Sequence, residues 1–167
     1  MRNLLGLLLT IGIFPLVRAE PLDVGATAPA VVGITEAGAK LDFGAVYKNG
    51  YTLVYFYPKA GTPGCTEQGC SLRDAYQDLA GKGVTVIGVS VDSVEEQKAF
   101  KEKYRFPFTL IADTNHEVIK AFGVPLNALW GTAARQAFLV NKAGRIVWRD
   151  LKVSPKQQAA EVLKAIK

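Results

Sequence analysis

The chain has few of the residues that carry nucleophilic or metal chemistry. Its 167 residues include two cysteines, Cys65 and Cys70, and a single histidine, His116. With one histidine and no candidate base near the cysteines, a serine-protease or papain-like catalytic set is excluded. A closed zinc site needs four ligands, so two cysteines and a histidine remote in sequence are one ligand short. We therefore expect His116 to be a solvated residue at the start of a helix.

Compositional bias and a strong excess of one charge are also absent. Hydrophobic residues make up 49% of the chain and charged residues 21%, which is typical of a globular protein. The net charge is +5, and the basic residues are spread among acidic ones, which argues against nucleic-acid binding. We find no internal repeat, low-complexity tract or linker, and the length fits one domain.

Residues 1–19 differ from the rest of the chain. Arg2 precedes an apolar run over 4–17, and Arg18-Ala19 follows it, which is typical of a secretory signal peptide. The run is shorter than the ~20 residues that span a bilayer, and Pro15 interrupts it. We expect cleavage after Ala19 and no stable membrane insertion afterwards. The alternative is an uncleaved N-terminal anchor.

A cleaved signal peptide would leave residues 20–167 as one exported domain in the periplasm or another cell-envelope space. Disulfides persist in such compartments, so a working dithiol there would need a dedicated supply of electrons.

Alternating apolar strands and amphipathic helices over residues 20–167 predict an α/β domain. The stretch 52–57 is apolar, β-branched or aromatic throughout, which indicates a strand buried on both faces, and 84–91 is predicted to be a second buried strand. Ser93 and Glu96 form a capping-box pattern for a helix that buries Val94, Ala99 and Phe100. The other predicted strands are 31–34, 40–43, 108–111, 137–141 and 145–150. The predicted helices are 65–80, 94–104, 116–122 and 155–166. Ser154 is the predicted N-cap of the last helix, and Pro155 is its first residue. This order favours three layers around a mixed sheet.

Cys65 follows the strand at 52–57 and a turn rich in proline and glycine, so it lies near the first turn of a helix. The unpaired N–H groups and the dipole of a helix N-terminus favour a thiolate over a thiol. Cys65 is therefore a candidate nucleophile, and Cys70 is a second thiol that can react with it afterwards.

The spacing of the two cysteines restricts how they can bond. In a regular α-helix, residues five apart have Cα atoms about 8.6 Å apart and point about 140° away from each other. A disulfide requires about 4.4–6.8 Å. The cysteines are therefore either two free thiols, or a bond between them unwinds the start of the helix. A purely structural disulfide would stabilise by only about 2 kcal/mol and would break helix hydrogen bonds.

Residues 58–74 read Pro58-Lys-Ala-Gly-Thr62-Pro-Gly-Cys65-Thr-Glu-Gln-Gly-Cys70-Ser-Leu-Arg-Asp. This stretch resembles the active-site signature of peroxiredoxins, and within them the peroxiredoxin Q class, also called bacterioferritin comigratory proteins. The resemblance covers essentially all of residues 21–167. It also includes the stretches 89–92, 106–113 and 121–124, and 135–140, where the family places an arginine, here Arg135, at the start of a strand.

The resemblance implies a thioredoxin-like α/β/α fold with a central mixed sheet and a thiol peroxidase activity on hydrogen peroxide and organic hydroperoxides. Cys65 would be the peroxidatic cysteine and Cys70 the resolving cysteine of the same subunit. Pro58, Thr62 and Arg135 would complete the peroxide site. No metal, haem or flavin cofactor is implied. A thioredoxin-like or other dithiol reductant would recycle the enzyme, as a monomer by default or as a dimer.

For several side chains a second interpretation is open. Arg135 is otherwise a surface arginine paired with a carboxylate such as Asp113. Arg73 could compete for its role, but we expect it to pair with Asp74 or Asp78. The loop residues Leu129 and Trp130 are either apolar cover for the site or an oligomer contact.

Two other functions fit a pair of reactive thiols. The first is a thioredoxin-like disulfide oxidoreductase of the cell envelope, against which the absence of Cys-x-x-Cys counts. The second is a redox sensor or chaperone that signals by the same helix unwinding.

Overall fold

The structure of the chain is a computed structural model that describes residues 20–166. The predicted signal peptide lies outside the described residues. Between residues 20 and 166, no helix is long and apolar enough to cross a membrane. The elements in chain order are β1 Val32–Ile34, β2 Lys40–Asp42, α1 Phe43–Tyr47, β3 Tyr51–Phe56, α2 Pro63–Asp74, α3 Tyr76–Gly81, β4 Val84–Ser90, α4 Val94–Tyr104, β5 Thr109–Ala112, α5 Glu117–Ala121, β6 Gln136–Val140, β7 Ile146–Asp150 and α6 Gln158–Ala165.

A five-stranded sheet with the order β5-β4-β3-β6-β7 forms the centre of the domain. Strands β3, β4 and β5 pair in parallel, whereas β6 pairs antiparallel with both β3 and β7. Strands β1 and β2 form a separate antiparallel pair. The predicted mixed sheet and the predicted hairpin of β6 and β7 are therefore confirmed.

The core has two halves, one on each face of the sheet. The side chains of β3 enter both, because successive side chains of a strand point to opposite faces. Leu53 and Tyr55 belong to one buried cluster, together with residues of α2, α3, α4 and α6. Val54 and Phe56 belong to the other, together with residues of α1 and α5. Helices cover both faces of the sheet, which confirms the three-layer prediction.

The single helix predicted over 65–80 is wrong in its extent. Helix α2 begins earlier, at Pro63, and a break at Ala75 (φ −95°, ψ 11°) separates it from α3. Proline fits the first helical position because its fixed φ suits a helix and its missing N–H is not needed there. Leu72 and Leu79, on either side of the break, are both fully buried, so core packing holds each segment in place.

Helix α4 has the predicted start but a different buried face. Ser93 and Glu96 form both hydrogen bonds of the capping box, at 3.2 and 2.8 Å. Phe100 is buried as predicted, but Val94 is only half-buried and Ala99 is exposed. Gln97 takes the remaining core position, which hydrophobic periodicity does not anticipate because a buried amide depends on partners from other elements.

The start of α6 also differs from the prediction. Ser154 is not the N-cap of this helix, because its carbonyl accepts from the N–H of Gln157 at 3.1 Å and closes a separate turn. The helix itself begins at Gln158. The short helix α1 was not predicted; Asp42 caps it by accepting from the N–H of Ala45 at 3.3 Å.

Candidate active site

The two cysteines lie on α2, which begins at the carboxyl edge of the parallel strands. Thr62 occupies the N-cap position in an extended conformation, so Cys65 falls in the first turn, as predicted. Both thiols are free. The side chain of Cys65 is buried, with 1% of the residue exposed, whereas Cys70 is half-buried. Because Cys65 is buried, only small molecules can reach its sulfur.

Arg135 directly precedes β6, and its side chain extends to Cys65. Its Nη2 lies 3.3 Å from Cys65 Sγ, and its Nη1 donates to Gly64 O at 3.4 Å. A Cβ at residue 64 would lie 3.1 Å from Nη2, so glycine there leaves room for the guanidinium. A positive charge at this distance stabilises negative charge on the sulfur.

The structure thus brings Arg135 and Cys65 together and gives Asp113 other partners. The Asp113 carboxylate accepts from the N–H groups of Val118 and Ile119 at 3.1 and 2.8 Å. Burial raises the pKa of Asp113, and these backbone donors oppose that shift. The alternative interpretation of Arg135, a surface pairing with Asp113, is therefore not supported.

Thr62 and Pro58 lie in the turn that leads into α2. The Thr62 hydroxyl donates to Lys59 O at 2.9 Å, so its proton is committed and its lone pairs remain open. Within residues 20–166, the Thr62 side chain makes no hydrogen bond with Cys65. Pro58 is half-buried and follows Tyr57, the first residue after β3. Arg73 pairs with Asp74 at 2.8 Å, as expected.

Asp92 fixes this turn to the end of β4, which sequence reasoning missed. Its buried carboxylate accepts from the N–H of Ala60 at 2.7 Å and from the Ser90 hydroxyl at 2.6 Å. Lys59 Nζ lies 3.3 Å from the same carboxylate, and this contact raises the pKa of Lys59. Asp92 therefore holds the backbone that positions Pro58 and Thr62.

Two buried tyrosines support the site from the sheet. Tyr55 and Tyr57 are stacked, with ring centroids 5.5 Å apart. Burial raises the pKa of both phenols, and the nearby cysteines raise that of Tyr55 further. Both hydroxyls therefore stay protonated, and that of Tyr57 donates to Gln97. Within residues 20–166, the buried Tyr55 hydroxyl has no hydrogen-bond partner.

Gln68 is the second site residue that sequence reasoning missed. It lies between the two cysteines on α2, is fully buried, and accepts from Arg135 Nη1 through Oε1. Its Nε2 donates to Gln158 Oε1 of α6 at 2.7 Å. The available signal was helical spacing, since residues three apart share a helix face and Gln68 is three residues after Cys65.

A shallow groove of about 560 Å³ lies between α2, α3 and α6. Cys70 lines it together with Ala75, Ala159 and Leu163. Cys70 is therefore the thiol of the pair that a second molecule can approach from this side. The loop residues Leu129 and Trp130 are exposed. Among residues 20–166, no three metal-binding side chains lie close enough to hold a metal ion.

Comparison with known proteins decides the family. A family model described as AhpC/TSA family matches residues 24–149. Peroxiredoxin Bcp of Bacillus subtilis is 41% identical over 128 residues, which are 72% of this chain and 80% of that protein. The chain belongs to the AhpC/TSA family and is a peroxiredoxin of the Bcp and peroxiredoxin Q type.

Further relatives agree with this assignment. The putative peroxiredoxin bcp of Coxiella burnetii is 37% identical over 139 residues, covering 79% of this chain and 91% of that protein. Chloroplastic peroxiredoxin Q of Sedum lineare is 38% identical over 122 residues, and the match spans 72% of this chain and 65% of that longer protein. As a peroxiredoxin of this type, the chain is a thiol peroxidase.

Solved structures confirm the thioredoxin-like fold. The crystal structure of peroxidoxin BcpB from Mycobacterium tuberculosis has a TM-score of 0.81 at 26% identity, covering 86% of this chain and 95% of that one. A cysteine-to-serine variant of peroxiredoxin Q from Xylella fastidiosa has a TM-score of 0.79 at 27% identity, covering 86% and 94%. The peroxiredoxin fold therefore extends over most of the described chain.

Proposed function

We propose that Cys65 is the peroxidatic cysteine and Cys70 the resolving cysteine of the same subunit, acting on hydrogen peroxide and organic hydroperoxides. A dithiol reductant of thioredoxin type returns both thiols. The observation that carries the proposal is the Arg135 guanidinium, 3.3 Å from the buried sulfur of Cys65 at the first turn of α2. No other cysteine is present to share the chemistry.

In the first step the Cys65 thiolate attacks one oxygen of the peroxide. The O–O bond breaks, the sulfur becomes a sulfenic acid, and the second oxygen leaves as water or an alcohol after taking a proton. Arg135 and the free N–H groups at the start of α2 stabilise charge on the departing oxygen. The open lone pairs of Thr62 accept a hydrogen bond from the O–H of the attacked oxygen, which keeps this hydrogen in the sulfenic acid. The proton that the departing oxygen takes replaces the one that the Cys65 thiol released when it ionised.

In the second step the Cys70 thiol attacks the sulfenic sulfur, so that a disulfide forms and water leaves. Both residues lie on α2, and the spacing requires its first turns to unwind. Gly69 lies in this interval and costs a helix about 1 kcal/mol relative to alanine, which lowers the free energy of unwinding. Glycine is also required by packing, since a Cβ there would lie 2.4 Å from the Phe106 ring.

The experiment that tests this function titrates the reduced protein with hydrogen peroxide. We expect one equivalent of peroxide to remove both free thiols and to yield a monomeric disulfide, measured by thiol alkylation and intact mass. A dithiol reductant should then sustain peroxide consumption. A reduced protein that leaves peroxide unconsumed but reduces protein disulfides would instead support a disulfide oxidoreductase.

We also propose that residues 1–19 are a signal peptide and that the monomeric enzyme works in the periplasm or another envelope space. The basic, apolar and small-residue segments of this stretch support the proposal. The expected result is an intact mass that begins at Glu20 for protein isolated from the producing cells. A mass that retains residues 1–19, found in the membrane fraction, would indicate an anchor.

A further inference from the structure

The start of α6 holds the part of α2 that contains both cysteines. Gln68 Nε2 donates to Gln158 Oε1 at 2.7 Å, and the Ser71 hydroxyl donates to Lys156 O at 3.1 Å. Lys156 Nζ also pairs with Glu67 at 3.4 Å. These three contacts, which we call the α6 clamp, join residues 156–158 to the segment that must unwind when the disulfide forms.

Within the α6 clamp, the bond between the two glutamines is the buried one. Gln68 is 0% exposed and Gln158 is 2% exposed, so breaking their bond leaves polar atoms unsatisfied in the core. The pair of Lys156 and Glu67 is exposed on both sides and contributes little. Gln158 therefore dominates the hold on α2.

The same bond sets the orientation of the Gln68 amide. Because Nε2 points to Gln158, Oε1 points to Arg135 and accepts from its Nη1. The other nitrogen of that guanidinium, Nη2, contacts Cys65 Sγ. A continuous chain of hydrogen bonds thus runs from α6 through Gln68 and Arg135 to the reactive sulfur.

We propose that Gln158 is a positioning residue for the peroxide reaction. Through Gln68 it orients Arg135 against Cys65, and it keeps the interval between the cysteines helical until Cys65 has been oxidised. The inference rests on the proposed roles of Cys65 and Cys70. Because the Nε2 of Gln158 has no partner within residues 20–166, only its oxygen serves in this role.

The inference predicts opposite effects on the two chemical steps. Loss of the Gln158 acceptor loosens Arg135 and slows the oxidation of Cys65. The same loss removes a bond that α2 must break in order to unwind, so disulfide formation becomes faster. Damage confined to the packing of Arg135 would slow the first step without accelerating the second.

The test is single-turnover oxidation of the reduced protein by hydrogen peroxide, with sulfenic acid and disulfide quantified by rapid quenching. Gln158→Met keeps the side-chain length and removes the acceptor. We expect it to slow Cys65 oxidation about tenfold, as the loss of one hydrogen bond in a charged network does, and to speed disulfide formation severalfold. Gln158→Glu keeps an acceptor oxygen and should stay within about twofold of wild type.

Gln157→Met is the matched control, because this neighbouring side chain is exposed and makes no hydrogen bond within residues 20–166. Its two rates should equal those of wild type. A folded Gln158→Met protein with both rates unchanged, or both lowered, would overturn the inference. Wild-type protein that loses no thiols would refute the proposed function itself.

Hydrogen exchange of the wild-type protein tests the inference without any variant. Oxidation should break the bond between Gln68 and Gln158, so peptides covering 154–165 should exchange severalfold faster in the disulfide form. Equal exchange in the reduced and disulfide forms would show that α6 does not respond to the state of α2.

Discussion

Substitution of Cys65 by serine is expected to abolish peroxide consumption completely. A serine hydroxyl is not ionised near neutral pH and its oxygen does not form a sulfenic acid equivalent, so no first step takes place. The measurement is peroxide decay in the presence of a dithiol reductant, compared with the rate in protein-free solution. Serine is close in size to cysteine, so this buried position should retain its packing.

Cys70→Ser is the matched control for that result, since it changes the same atoms on the same helix. This variant should consume one equivalent of peroxide and then stall as a sulfenic acid on Cys65, detected by a sulfenic-acid trapping reagent. Peroxide turnover that survives Cys65→Ser would refute the assignment of the nucleophile. Continued turnover of Cys70→Ser with the same reductant would refute only its resolving role.

The features that could be predicted from the sequence are those set by neighbouring residues. The capping box of Ser93 and Glu96 is complete within four residues, and it forms as predicted. The placement of Cys65 in the first turn of α2 follows from the Thr62-Pro63-Gly64 turn before it. The apolar stretches around β3 and β4 identify strands buried on both faces without any knowledge of their partners.

The features that could not be predicted depend on residues far apart in the chain. Gln68 and Gln158 are separated by 90 positions, and neither is distinctive in its local pattern. Asp92 follows β4, but its role arises only where the turn at Ala60 meets it, 32 positions away. Hydrophobic periodicity treats such polar residues as surface positions, and it therefore fails where tertiary hydrogen bonds satisfy them in the core.

The role of Arg135 depends partly on its neighbours in sequence and partly on residues far away in the chain. Its place before a strand is evident locally, but the local sequence alone favours a surface pairing with a carboxylate such as Asp113. The antiparallel pairing of β6 with β3 decides the question, because it brings the start of β6 beside the end of β3, where the turn into α2 begins. Family resemblance supplied this long-range information, whereas local pattern could not.

Arg135→Met is expected to lower the second-order rate of Cys65 oxidation by about 10²–10³-fold. Methionine has a comparable length and removes the charge, so both the sulfur and the departing oxygen lose an electrostatic partner, an effect of the size seen when one oxyanion donor is removed. The measurement is stopped-flow oxidation of reduced protein by hydrogen peroxide. Arg145→Met serves as control, because this side chain is exposed and its guanidinium, among residues 20–166, donates only to Gly25 O at 3.0 Å.

Arg135→Lys separates the contribution of charge from that of geometry. Lysine keeps the positive charge but has one nitrogen, whereas the arginine uses Nη2 for Cys65 and Nη1 for Gly64 and Gln68. If both guanidinium nitrogens are required, lysine should recover only a small part of the lost oxidation rate. Full recovery of the oxidation rate with lysine would mean that charge alone activates the sulfur. An unchanged oxidation rate in Arg135→Met would mean that the guanidinium only connects α2 to β6 and has no role in the reaction.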